Sequence, residues 1–152
     1  MKTYDSVQEL GEDVGVVLGP CEWLLVDQEA VDDFARASGD DQWIHVDTQK
    51  ANAGPFGTTI CHGLLTLAIG QSLARRIYRV SGTRMGINYG LNKVRFPSPL
   101  PVGSQVRATV ELLGVEAAED SWHVRTRVVT MREGSEKPVC VADPLTRLYV
   151  EQ

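Results

Sequence analysis

Apolar positions along the chain recur with two periods, and the point where the period changes divides it into two regions. Between Asp27 and Gly39, residues Ala30, Val31, Phe34, Ala35 and Ser38 recur at helical spacing. Asp27 suits an N-cap and Gly39 a stop, so the pattern predicts a helix over about 28 to 38. Thr48 to Ala53 adds a further turn, with Asp47 as its cap, before Gly54-Pro55 and Gly57 break regular structure. The segment from Cys61 to Arg79 is apolar almost all round at its start and amphipathic only toward its end. It predicts a core helix from about Gly63 to Val80, roughly 27 Å long, buried in its N-terminal half and emerging at Arg75-Arg76.

After Ser81-Gly82 the period falls to two. Met85 to Phe96, Ser104 to Val115, Trp122 to Met131 and Pro138 to Val150 read as four strands, and Val106, Ala108, Val110 and Leu112 share one face of the second. Val14 to Leu18 and Glu22 to Val26 offer one more strand ahead of the first helix. Strands in succession joined by short turns predict an antiparallel sheet. A long apolar helix beside it is best buried by wrapping the sheet around it, an α+β arrangement of one domain over residues 1–152.

Composition removes several function classes. Hydrophobic residues at 43% and charged residues at 23% are those of an ordinary globular chain. Twenty acids against fifteen bases give a net charge of -5, and the bases form no stripe that could track a phosphate backbone, so no nucleic acid partner is expected. Met1–Asp5 is not followed by an apolar run of signal-peptide length, and Leu64 to Ile69 is too short to span a bilayer. Cys21, Cys61 and Cys140 are odd in number and widely spaced, which fits a reduced, cytoplasmic setting.

Candidate chemistry concentrates in Asp40-Asp41-Gln42-Trp43-Ile44-His45, where a carboxylate and an imidazole stand five positions apart after Ser38-Gly39. An acid and a base on one short segment can move a proton on and off water. Taken singly, Asp40 is more often a turn residue and His45 more often a structural histidine; it is the spacing together with His62-Gly63 that favours chemistry. The set His45, Asp47 and His62 imitates a two-histidine, one-carboxylate metal triad, but a loop between helices is a poor frame for one and no metal is predicted.

Phe34-Ala35-Arg36-Ala37-Ser38-Gly39-Asp40 through His45, with Ala51 six residues on, resembles the signature of the MaoC-like (R)-specific enoyl-CoA hydratases, or hydratase 2. Cys61-His62-Gly63 and the run from Lys93 to Gly103 resemble the same family. The resemblance implies a hot-dog fold, a homodimer, and reversible addition of water to a trans-2-enoyl thioester of coenzyme A or of a carrier protein, giving an (R)-3-hydroxyacyl thioester. It makes Asp40 and His45 the catalytic pair and Gly63 the backbone donor to the thioester carbonyl. The family usually has Asn-Pro where this chain has Gln42-Trp43, and a larger aliphatic residue at Ala37.

The residues support that chemistry independently. Hydration of a conjugated thioester needs a base for the attacking water, an acid for C2 and a donor for the enolate oxygen. The Gly63 amide, at a helix N-terminus and without a side chain in front of it, suits the last role. Trp43, His62 and Ser72 are candidates for lining the substrate site, with Gln71 beside them, and Lys93 and Arg95 for meeting the phosphates of coenzyme A, which is here part of the substrate and not a cofactor. Two readings compete with the hydratase. A hot-dog thioesterase would need a carboxylate on the long helix, and Gly63 to Ile77 contains none; a non-catalytic acyl-binding subunit would bind without turnover.

Overall fold

The computed structural model describes residues 1–151. The chain opens with β1 (Lys2–Tyr4), α1 (Val7–Glu12), β2 (Val17–Leu18) and β3 (Leu24–Val26). Helix α2 (Gln28–Ser38) follows, then two short helices, α3 (Trp43–Val46) and α4 (Thr48–Asn52), and the central helix α5 (Gly63–Ala74). The remainder is β4 (Tyr78–Val80), β5 (Thr83–Arg95), β6 (Ser104–Ala117), β7 (Trp122–Arg132) and β8 (Pro138–Val150).

Helix α2 begins and ends where its sequence directs. Asp27 Oδ1 accepts from the Ala30 amide at 2.9 Å, and Gly39, at φ 78°, turns the chain out while its N–H closes on Ala35 O. Asp47 caps α4 in the same way, accepting from the Lys50 amide at 2.9 Å.

The main sheet runs β2-β6-β7-β8-β5, with β3 also on β6, and every pairing in it is antiparallel. Strand β5 pairs with β8 at the far edge, not with its chain neighbour β6. Val106, Ala108, Val110 and Leu112 are fully buried, as the period-two pattern predicts, and pack with Leu10, Val31 and Leu73.

Three expectations need correction. The central helix stops at Ala74 instead of running to Val80, because Tyr78–Val80 is drawn into a parallel pairing with Lys2–Tyr4. Its twelve residues make it about 18 Å long. Burial of its N-terminal half is incomplete: Thr66 is buried but Leu64 is 65% exposed, whereas Gly70, Leu73 and Ala74 near its end are buried and Arg75-Arg76 emerge as expected. The N-terminal β1 and α1 were not foreseen, although Ser6 caps α1 by accepting from the Glu9 amide at 3.1 Å. Among the described residues, no helix is long and apolar enough to cross a membrane.

Candidate active site

The site forms where the short helix α3 meets the N-terminus of α5. His45 lies within α3, not in an open loop as the spacing suggested, and is 6% exposed. Its Nδ1–H donates to Ile60 O at 2.7 Å. A carbonyl can only accept, so the neutral ring carries its free lone pair on Nε2. The Ile60 amide in turn donates to Ile44 O at 3.0 Å, so the residue before Cys61 grips α3 through both its backbone groups.

His62 stacks on His45, ring centroids 3.8 Å apart and 26° from parallel, with Phe34 beside it. Its Nε2–H donates to the Asp40 carbonyl at 2.8 Å. Nδ1 of this ring, 2% exposed, is buried without a partner. Asp40 is open to solvent, and its side chain has one weak neighbour, the Gln42 amide at 3.4 Å. Asp40, His45 and His62 bring one donor atom each to within 4.8 Å of one another. Asp40 thus takes the place that spacing gave to Asp47, whose carboxylate is used as the α4 cap.

Gly63 is the first residue of α5, and its amide has no partner among the described residues. A Cβ there would lie 3.0–3.2 Å from three atoms of the Phe96 ring, so only glycine lets that ring lie over the helix start. Cys61, immediately before, is buried, and burial pushes its thiol up to about 11, which leaves it protonated and unsuited to nucleophilic attack.

The other candidates lie apart from this cluster. Trp43 packs against Gly54 and under the Lys50 ammonium, 4.8 Å from its ring. Ser72 is exposed on α5, nine residues or about 13 Å beyond Gly63. Lys93 and Arg95 are exposed on β5; Lys93 stands opposite Asp143 in the sheet, and Arg95 donates to Val94 O at 2.7 Å. Along α5, a cavity of about 390 Å³ starts at Leu64, the neighbour of Gly63, and runs under β5; it does not reach Asp40 or His45.

Gln28 was missed by sequence reasoning. Its Nε2 donates to His45 O and to Asp32 Oδ1, both at 2.8 Å, while its Oε1 accepts from Thr59 Oγ1 at 2.6 Å. One side chain thereby ties α2, α3 and the approach to α5 together. An amide in the first turn of a helix gives no sequence signal for such a role.

Comparisons with known proteins bear on the family and the fold of the chain. A model of the MaoC like domain matches residues 11–133. The 3-hydroxyacyl-thioester dehydratase Z of Mycobacterium tuberculosis is 51% identical over 148 residues, covering 97% of this chain and 98% of that protein. Nodulation protein N of Rhizobium leguminosarum bv. viciae is 38% identical over 93% of this chain and 89% of its own. An unliganded R-hydratase of Pseudomonas aeruginosa superposes with a TM-score of 0.77 at 22% identity, covering 97% of this chain and 88% of that one.

Proposed function

The chain belongs to the MaoC-like dehydratase family and has its hot-dog fold, and from that premise we propose that it is a hydro-lyase interconverting trans-2-enoyl and (R)-3-hydroxyacyl thioesters, with Asp40 and His45 as its acid-base pair. The observation that carries this reading is the convergence of Asp40, His45 and His62 beside the unpartnered Gly63 amide.

In the hydration direction a water sits between the Asp40 carboxylate and the bare Nε2 of His45. As its oxygen bonds C3, the pair takes one of its protons and returns a proton to C2, so H and OH add across the double bond and the site is regenerated. Negative charge collects on the thioester oxygen meanwhile. The Gly63 amide, aided by the dipole of α5, is the donor that holds it. The substrate supplies its own coenzyme A or carrier arm, and no separate cofactor enters these steps.

The exposed surface supports a homodimer as the reading of how the β5 edge is covered. Strand β5 is a thirteen-residue edge exposed over almost its whole length; it carries exposed Met85, Ile87, Tyr89 and Leu91, the last two lining one cavity with exposed Leu64 of α5. An uncovered edge of that length and apolarity invites a second copy.

The test is loss of enoyl-thioester absorbance with crotonyl-CoA and longer trans-2-enoyl-CoAs, comparing the native chain with Asp40→Asn and His45→Gln. Turnover by the native chain and its collapse in both variants is expected. Native rates in both variants overturn the mechanism. Hydrolysis of saturated acyl-CoA without hydration would replace it with a thioesterase, which the absence of any carboxylate on α5 disfavours.

A further inference from the structure

Two cavities of about 390 Å³ each lie end to end between α5 and β5. The first is apolar from Leu64 past Leu67, Ala68 and Leu91. The second is apolar again where Ala74, Val110, Val124 and Leu148 close it. Gln71, Arg75 and Asn88 line both, so the seam between the two compartments carries two carboxamides and a guanidinium.

The backbone makes room at that seam. Asn88 stands between Gly86 and Gly90, which line the second and the first cavity respectively. A Cβ at Gly90 would meet nothing within 4 Å, and at Gly86 only Leu148 and Thr146 at 3.6 and 3.8 Å. The strand is thus hollow on either side of one amide. Across from it, Gln71 Nε2 is buried with no hydrogen-bond partner. Buried donors are rarely left so unless something outside the chain pairs with them. The two linings contain Arg75 and Arg79 but no Asp or Glu, within a protein of net charge -5.

We propose that the groove selects acyl thioesters whose tail bears a carboxylate, held by Gln71, Asn88 and Arg75. This rests on the enoyl-thioester reading of the site and names its substrate class. An alkyl tail would leave the Gln71 donor unpaired and offer Arg75 nothing, whereas a carboxylate accepts from both. Gln71 lies eight residues beyond Gly63, about 12 Å along the helix, so the carboxylate belongs at a distance on the order of ten carbons from the thioester.

The experiment measures kcat/KM for methyl-ended and carboxylate-ended trans-2-enoyl-CoAs of matched length around ten carbons. The native chain is expected to favour the carboxylate at least tenfold. Gln71→Leu and the surface change Arg75→Met should each cut that ratio at least tenfold, by losing the dioic substrate more than the methyl-ended one. A native preference for the methyl end, or a ratio unmoved in Arg75→Met, overturns the proposal. If neither these substrates nor crotonyl-CoA turns over, the hydratase reading has failed; calorimetric binding of the two ten-carbon thioesters then decides the groove separately, equal affinities refuting it and tighter dioic binding sustaining it.

Discussion

Replacing His62 by phenylalanine separates activity from stability. The ring keeps its place on His45 at 3.8 Å and beside Phe34 at 4.9 Å, but the Nε2–H that holds the Asp40 carbonyl at 2.8 Å is gone. The lost hydrogen bond costs about 1 kcal/mol, while removing a buried, unpartnered Nδ1 returns a similar amount, about 1–3 kcal/mol. Net stability should therefore change by between about 0 and 2 kcal/mol in the stabilising direction, a rise in melting temperature of at most roughly 4–8 °C. Asp40, however, retains only weak neighbours, the Gln42 amide at 3.4 Å and the Ser38 hydroxyl at 3.3 Å. A displacement of about 1 Å at a reacting group costs on the order of 10²-fold in rate. The expected result is kcat for crotonyl-CoA hydration down about 10²-fold with KM little changed, and partial recovery in His62→Gln, whose amide can again donate to Asp40. Native kcat in His62→Phe would show that His62 does not position Asp40.

Gly70 on α5 would place a Cβ 2.5 Å from Thr130 Oγ1, so Gly70→Ala should lose about 1–3 kcal/mol in urea melts despite alanine's helix propensity, and adding Thr130→Ala should restore most of it; no loss would refute the close packing. Burial pushes Cys61 and Cys140 to about 11 and Tyr78 to about 12. In the unfolded chain these groups ionise at lower pH, so stability should fall as pH rises from about 9 toward 12, and at pH 8 native protein should take iodoacetamide only at half-buried Cys21; rapid adducts on all three cysteines by mass spectrometry would contradict this. Ile87→Lys on the β5 edge should shift the sedimenting species from dimer to monomer, and an unchanged dimer would move the interface elsewhere.

What could be read in the sequence follows from how local its cause is. The α2 boundaries were visible because Asp27 and Gly39 act within their own turn. The buried face of β6 was visible because a period of two survives in any register. The end of α5 was not: Arg75 to Arg79 continues a helical pattern, and only the pairing of Tyr78 with Lys2, seventy-six positions away, stops it. The exposure of Leu64 was not legible either, because an apolar residue type says nothing of whether its own chain covers it. Within the candidate site, Asp40 and His45 were legible as chemistry. Their supports were not, because Ile60 acts only through its carbonyl and amide, which any residue possesses, and Gln28 through contacts thirty-one and seventeen positions away.

The same backbone dependence accounts for Gln42-Trp43, where the family resemblance implies Asn-Pro. Gln42 has φ -53° and ψ 140°, the extended conformation that a following proline enforces. Trp43 is the first residue of α3, the helical position at which proline is best tolerated because its amide needs no partner, and that amide has none among the described residues. The chain therefore keeps the geometry of a proline turn without the proline, fixing it by packing the indole on Gly54 and under Lys50. Trp43→Pro should restore the covalent constraint, gaining about 0.4–1 kcal/mol from the unfolded state and losing a somewhat larger amount of half-buried ring contact. A small net loss in thermal stability with kcat within a few-fold of native is expected. A fall in kcat of more than about tenfold, in a variant that still melts cooperatively, would mean that the indole itself touches substrate, and the tryptophan would then be a binding residue instead of a substitute for a rigid bond.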